Sequence, residues 1–165
     1  MATRRLATLA ATLATALALA APAWAAEQAT LALLPVKFID TSGLPESSHA
    51  DRLEAMESAL ARDLRGAGGF ADTVAIDAQQ VATACPVQSG DCLIGLAKAK
   101  GGAYALFTVV QKRTQLALLV SARVVATDGS GKTIVSVDST FKGDSPQAWD
   151  RAEQSLSRQI KTKLP

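Results

Sequence analysis

The sequence has few of the residues that usually carry catalysis. Its 165 residues include one histidine, two cysteines and one tyrosine. A Ser-His-Asp triad would have to use His49, but the chain has no Gly-x-Ser-x-Gly nucleophile motif, and His49 stands at the start of a predicted helix. No pair of carboxylates has a spacing that favours acid and base roles. We therefore predict that His49 is a solvent-exposed residue at a helix start, and that the protein is not an enzyme and has no cofactor.

Metal ligands are equally sparse. The two cysteines, Cys85 and Cys92, enclose the short segment CPVQSGDC, whereas redox cysteines stand two residues apart and a zinc site needs further ligands nearby. In an oxidising compartment, two cysteines around such a loop most often form a disulfide. The acidic residues Asp40, Glu46 and Asp51 follow the first predicted strand, but their spacing does not match a calcium loop. We predict a Cys85–Cys92 disulfide and no metal site, with these acids serving turns and helix caps.

Long apolar runs are absent except at the start of the chain. Arg4 and Arg5 precede an uncharged run of Leu, Ala and Thr over residues 6–21, and the triplet Ala-Trp-Ala follows at 23–25. A membrane anchor needs about 20 strongly apolar residues, and this run is shorter and diluted with Thr. The pattern is typical of a secretory signal peptide. We predict that residues 1–25 are cleaved on export, and that residues 26–165 form one periplasmic domain without a membrane anchor.

An excess of positive charge is also missing from the predicted mature chain. Without Arg4 and Arg5 the 17 Lys and Arg residues fall to 15, which equals the 15 Asp and Glu residues. The few aromatic residues beyond position 25 fall mostly in apolar strand patterns, where core packing is the expected role. The sequence therefore gives no support for nucleic-acid binding or for attraction to an anionic membrane.

One segment matches a looser form of the phosphate-binding loop. It reads ATDGSGKT over residues 126–133. Such a loop must run from a strand into a helix, because the backbone N–H groups at the helix start hold the phosphates. Here the β-branched run TIVSVDSTF follows, and Asp128 and Gly129 are turn formers. We predict a hairpin turn, with Lys132 solvated at the start of a strand and no bound nucleotide.

Hydrophobic periodicity predicts an α/β fold. Ser48 is the expected cap of the first predicted helix, and Ser145 with Pro146 is expected to open the last. The predicted strands cover 29–40, 72–77, 103–112, 115–127 and 132–142, and the predicted helices cover 49–65, 78–84, 91–100 and 146–164. The order β-α-β-α-β-β-β-α implies parallel pairing through crossovers and then antiparallel hairpins. We expect a mixed five-stranded sheet with flanking helices, in which residues 29–40 form a buried central strand.

Several strings resemble a bacterial family of predicted secreted proteins with no assigned function. They are ALLPVKFIDTSG (32–43), the Cys85–Cys92 segment, GGAYALFTVVQK (101–112) and FKGDSPQAWDRA (141–152). In that family an Asp-Thr-Ser string follows the first strand, and an Arg-Gly-Asp string then precedes a Trp at the start of the last helix. Lys142 stands here where arginine is usual. More distantly, the order of elements is similar to the N-terminal domain of TolB and to the CsgG-like domain, which implies protein contacts in the cell envelope.

These observations favour two functions. The first is a soluble, non-catalytic periplasmic accessory or interaction module that binds another cell-envelope protein. The second is a periplasmic protein that binds a small ligand or a metal through the acidic loop. The predicted binding surface consists of Asp40, Thr41, Ser42, Lys142, Gly143, Asp144, Trp149 and Arg151. The same residues are also explained as caps and turns.

Overall fold

The computed structural model describes residues 29–42 and 49–165. The predicted signal peptide, Glu46 and the predicted cap Ser48 lie outside the described residues. Within those residues the strands are β1 (Thr30–Leu33), β2 (Lys37–Asp40), β3 (Asp72–Ala75), β4 (Tyr104–Thr114), β5 (Ala117–Ala126) and β6 (Thr133–Lys142). The helices are α1 (Ala50–Asp63), α2 (Ala78–Ala84), α3 (Gly90–Ala99) and α4 (Pro146–Lys163).

The strands form one mixed sheet in the order β3-β1-β4-β5-β6, with β2 paired to β4. β1 is parallel to both β3 and β4, whereas β4, β5 and β6 form antiparallel hairpins. Crossovers through helices require parallel neighbours, and tight turns require antiparallel ones. The predicted α/β class and the mixed sheet are therefore confirmed.

The prediction of one strand over residues 29–40 was wrong. Pro35 interrupts the run, because proline has no N–H group to donate to the ladder. The Leu34 backbone N–H still donates to the carbonyl of Leu106 (3.2 Å). Pro35 has no N–H, and the N–H of Val36 donates to the Glu57 carboxylate (2.7 Å) and not to β4. The chain then rejoins the sheet as β2, whose side chains are largely exposed. Within the described residues the sheet therefore has six strands, and only the first part of the predicted strand is central.

Side chains alternate along β1 and β4 between two hydrophobic cores, one on each face of the sheet. Leu31 and Leu106 belong to the larger core, which α1 and α4 cover with residues such as Leu60 and Leu156. Ala32 and Ala105 belong to a smaller core, which α2 and α3 cover with Val81, Leu93 and Ala97. Each fully buried Leu contributes about 1.5 to 3 kcal/mol of hydrophobic free energy. The larger core therefore makes the larger contribution to stability.

A disulfide joins Cys85 and Cys92, as predicted. Cys85 ends α2 and is buried, and Cys92 lies in the first turn of α3. The Asp77 side chain caps α2 by accepting from the backbone N–H of Gln80 (2.7 Å), and Ser89 caps α3. The disulfide therefore closes the loop between two short, well-capped helices that cover the smaller core.

The segment ATDGSGKT joins β5 to β6, and no helix follows it, as predicted for a hairpin. The Asp128 carboxylate accepts from the backbone N–H of Ser130 (2.8 Å), and Gly129 has a positive φ of 99°. Ala126 donates its backbone N–H to the carbonyl of Lys132 (2.9 Å), and Lys132 is exposed. The Asp and Gly residues thus serve the geometry of the turn.

Removing the disulfide with Cys85→Ala and Cys92→Ala together should lower the free energy of unfolding by about 2 to 3 kcal/mol, because the open loop has more freedom in the unfolded chain. Urea unfolding followed by circular dichroism measures this change. The wild type in excess reductant is the matched control and should lose a similar amount. Equal stability of the wild type with and without reductant would contradict the prediction.

Candidate functional site

The two segments of the predicted binding surface meet at one end of the sheet. The Asp40–Ser42 turn follows β2, and Asp144 lies in the short connection between β6 and α4. Lys112, near the end of β4, lies between them, with its Nζ 2.9 Å from Asp144 Oδ2 and 4.0 Å from Asp40 Oδ2. Lys112 is not among the binding residues predicted from the sequence. We call the group His49, Arg52, Lys112, Asp144 and Trp149 the Asp144 cluster.

The Asp144 carboxylate has four donors, two on each oxygen. Arg52 Nη1 (2.6 Å) and Trp149 Nε1 (2.9 Å) donate to Oδ1. Lys112 Nζ contacts Oδ2, and His49 Nε2 lies 3.1 Å from the same oxygen. Because an ionised carboxylate only accepts hydrogen bonds, the His49 nitrogen is the donor. One carboxylate therefore ties together the ends of α1, α4 and β4.

Most of this cluster is shielded from solvent. The side chains of His49 and Lys112 are 2% and 7% exposed, and that of Asp144 is 19% exposed. Burial alone would raise the pKa of Asp144, but hydrogen bonds from Lys112, Trp149 and His49 and the positive charge of Arg52 outweigh it and hold this pKa well below its usual range. Asp144 is therefore ionised throughout the physiological pH range.

The prediction that His49 is solvent-exposed was wrong. Its ring stacks on Phe38 of β2 with 4.4 Å between ring centroids, and it lies 5.9 Å from the ring of Trp149. His49 is the N-cap residue of α1, but its side chain does not cap the helix. The side chain instead turns inward, because an aromatic surface and a carboxylate together stabilise a buried imidazole better than solvent does.

The Asp40–Ser42 turn is a separate local structure. Asp40 Oδ1 accepts from the Ser42 backbone N–H (2.8 Å) and hydroxyl (2.6 Å), and these hydrogen bonds lower the pKa of Asp40. The backbone N–H and the hydroxyl of Thr41 both donate to the carbonyl of Lys112 (2.8 and 3.1 Å). The turn is thus hydrogen-bonded to the backbone of Lys112, the β4 residue whose side chain contacts Asp144.

Local sequence explains how the second segment is placed. Gly143 has a φ of 92°, a conformation that a side chain strains, and it directs the chain from β6 toward the cluster. Ser145 Oγ then accepts from the backbone N–H of Ala148 (3.3 Å), and Pro146 occupies the first turn of α4. The predicted cap of the last helix is confirmed. It sets Trp149 one turn into the helix, where its indole N–H reaches Asp144.

The structure thus unites part of the predicted surface and separates the rest. Asp144 and Trp149 belong to the cluster, and the turn at residues 40–42 adjoins it. Lys142 and Arg151 are exposed, and within residues 29–42 and 49–165 neither has an ion-pair partner. Trp149 is buried, so it is a packing residue of this site and not a contact surface.

Sequence reasoning missed His49, Arg52 and Lys112 as members of the site. A signal was available for Lys112. Core-facing side chains alternate along β4, with Leu106 and Val110 in the larger core, and position 112 continues that series. A lysine at a core-facing position is rarely buried without a carboxylate partner. Nothing local marks His49 or Arg52, because their partner lies more than ninety residues away in the chain.

The chemistry open to this cluster is charge pairing. The cluster and the adjoining turn together contain two carboxylates, Asp40 and Asp144, and two basic side chains, Arg52 and Lys112. In the described part of the chain, no three His, Cys, Asp or Glu side chains are grouped so that they could hold a metal ion. Nor does any described helix have the length and apolar character needed to cross a membrane.

Fold and site define a mixed-sheet α/β protein with a buried ion network at the end of its sheet. Residues 29–160 match the family described as "Protein of unknown function (DUF2380)", and the chain belongs to that family. The predicted resemblance to a family without an assigned function is thereby confirmed. No curated protein sequence matches the chain.

Solved structures share this fold. The PelC dodecamer from Paraburkholderia phytofirmans is similar at a TM-score of 0.56 and 20% identity, over 87% of this chain and 91% of that one. The C-terminal domain of LpoB from Escherichia coli gives a TM-score of 0.50 and 19% identity, over 73% and 86%. TolB from Acinetobacter baumannii, to which the order of elements was predicted to be similar, gives a TM-score of 0.47 and 14% identity. The match covers 84% of this chain and 29% of the TolB chain. At these identities the similarity concerns the fold and not the function.

Replacing Asp144 with Ala should lower the free energy of unfolding by about 3 to 5 kcal/mol, because it leaves the buried Lys112 ammonium without its partner. The Asp138→Ala variant is the matched control. Asp138 pairs with Arg123 at 2.8 Å, but both side chains are well exposed, so the loss should be at most about 1 kcal/mol. Chemical denaturation of both variants measures the contrast, and equal losses would show that the Asp144 cluster is not a buried network.

The stabilising effect of Asp144 should depend on pH. Its pKa is lower in the folded chain than in the unfolded chain, so the unfolded chain takes up the proton first as the pH falls. The contribution is complete above the unfolded pKa, near about 4, and declines at lower pH. The difference in unfolding free energy between wild type and Asp144→Asn should therefore shrink from about pH 5 to about pH 2. A difference that stays constant over this range would contradict the lowered pKa.

Proposed function

We propose that this protein is an exported, non-catalytic interaction module of the bacterial cell envelope, and that it binds another envelope protein. The signal-peptide pattern of residues 1–25 supports export to the periplasm. The disulfide between Cys85 and Cys92 supports the same location, because disulfides persist in oxidising compartments. PelC, which shares the fold, is seen as a dodecamer, and this supports the use of the fold for contacts between proteins.

The proposed binding surface is a rim at the end of the sheet, made of Asp40, Thr41, Ser42, Leu116 and Lys142. Backbone hydrogen bonds join these residues. The Thr41 N–H donates to the carbonyl of Lys112 in β4 (2.8 Å). Leu116 lies at the tip of the β4–β5 hairpin, and the Leu116 carbonyl accepts from the N–H of Gly143 (2.9 Å). Lys142 pairs with Ala117 across the sheet. The rim is therefore one continuous surface that runs from β2 to the start of α4.

Leu116 is the apolar residue of this rim, and it is 70% exposed. A single exposed leucine is ordinary on a protein surface. Here, however, it lies between a cationic residue, Lys142, and the ordered turn at Asp40. An apolar anchor with a polar surround is a common arrangement at the centre of a protein interface. We expect Leu116 to be the main apolar contact with the partner.

The observation that carries the proposal is the Asp144 cluster beneath the rim. Four donors fix the Asp144 carboxylate, and Lys112 links it to the Asp40–Ser42 turn. The charged groups of the Asp144 cluster are thus engaged with one another, which supports a role in holding the rim in place. A surface that is already ordered loses little conformational entropy when it binds a partner.

Photo-crosslinking residues placed at Ser42 and at Leu116 in cells should give the same discrete adduct. The matched controls are Thr83 and Gln154, which are exposed on α2 and α4 away from the rim. Lys142→Glu should reduce the yield at both rim positions, because it reverses the charge beside Leu116. The adducts are measured by mass on denaturing gels and identified by mass spectrometry.

Two outcomes would contradict the proposal. Adducts of equal yield at the control positions would show that the rim has no special role, and the absence of any adduct at both rim positions would show that it is not a binding surface. The side chains of Leu116 and Lys142 lie outside both hydrophobic cores, so these substitutions should leave the melting temperature unchanged. The Ser42 variant loses one exposed hydrogen bond to Asp40, so its melting temperature should fall only slightly.

A further inference from the structure

A cleft of about 240 Å³ opens on the sheet face opposite the Asp144 cluster. It lies where β1 ends and β2 begins, between the sheet and the disulfide loop. Five apolar residues that line it belong to this face: Leu34, Val81, Leu93, Phe107 and Val109. A cavity of roughly 150 Å³ is enough for a benzene-sized molecule, so this cleft has room for a ring with a short side chain.

The break at Pro35 creates the cleft. β1 pairs with β4 as far as Leu106, and β2 pairs with it again only from Val109. Between these two positions the backbone N–H of Val36 is bonded to Glu57 and not to β4. The sheet therefore leaves a gap beside β4, and the chain from Leu34 to Lys37 bulges around it.

The far wall is held in an unusual conformation. Gln88, in the loop that the disulfide closes, has a φ of 51°, and it is the one non-glycine residue with a positive φ in residues 29–42 and 49–165. Backbone strain of this kind costs about 1 to 3 kcal/mol and persists where the surrounding structure enforces it. The Cys85–Cys92 bond and the capped start of α3 provide that enforcement. The disulfide and the cap therefore hold both ends of the loop that carries Gln88.

The lining of the cleft includes two long polar residues, Lys37 and Gln88. Thr108 also lines it, but side chains alternate along β4, so its hydroxyl lies on the face of Leu106 and Val110 and not in the cleft. Lys37 is exposed at the mouth, and in the described chain no carboxylate lies within ion-pair distance of it. Lys37 is also the one charged residue that lines the cleft. An apolar wall with a few polar groups is the usual composition of a small-molecule site.

We propose that this cleft binds a small amphipathic carboxylate. The apolar body, with about ten non-hydrogen atoms, fills the space between Phe107, Val81 and Leu93, and the carboxylate pairs with Lys37 at the mouth. The single cation matches a single negative charge, whereas a phosphate or a dicarboxylate would bring more charge than the wall can pair. This site is separate from the rim and does not depend on the proposed protein interaction.

The test uses two probes of nearly equal shape, phenylpropionate and phenylpropanol, titrated into the purified protein and followed by amide chemical shifts. The acid should bind saturably and about tenfold more tightly than the alcohol, with shifts at Val81, Leu93 and Val109. Lys37→Gln should bring the acid down to the affinity of the alcohol and leave the alcohol unchanged. Val109→Phe should weaken both, because it adds bulk to the wall.

Each remaining outcome would overturn the proposal. Equal affinities of acid and alcohol in the wild type would remove the role of Lys37. Shifts centred outside the cleft, or no saturation at about 10 mM of either probe, would remove the site itself. Lys37 is exposed and Val109 is only half-buried, so both variants should fold, and their melting temperatures verify this.

Discussion

The ion pair between Lys112 and Asp144 constrains the arrangement of the elements around it. β4 places Lys112 on the side of the sheet that faces the larger core, where only 7% of its side chain reaches solvent. An ammonium group in such a place is strongly unfavourable unless a carboxylate lies beside it. The loop before α4 must therefore bring Asp144 over the end of β4, and this fixes where α4 begins. The same carboxylate fixes the start of α1 through Arg52 and His49.

The two faces of the sheet are built for different purposes. α1 and α4 cover one face with long apolar stripes, and the ion network closes that layer at its end. The shorter helices α2 and α3 cover the opposite face near β1 and β4, and there the break at Pro35 leaves the cleft. Both features arise from β4. It is longer than its parallel neighbours, so β1 and β2 pair with it one after the other.

The order of helices and strands could be predicted from the sequence because it depends on local patterns. The apolar stripe of α4 and the turn residues at 128–131 act within a few positions, and the hairpin and the last helix follow from them. The break at Pro35 could also have been predicted from the sequence, because proline has no backbone N–H to donate. The continuous apolar run around it instead led to the prediction of a single strand. The Asp144 cluster was not visible, because His49 and Asp144 are 95 residues apart and meet only after the sheet has formed.

A double-mutant cycle between Lys112→Met and Asp144→Asn tests this account most directly. It measures the coupling between the two side chains apart from the packing that each one loses. If the buried pair holds this end of the fold together, the two changes are far from additive, with a coupling free energy of at least about 1.5 kcal/mol. A coupling within about 0.3 kcal/mol of zero would mean that the two residues act independently, and it would contradict the central role given to the pair.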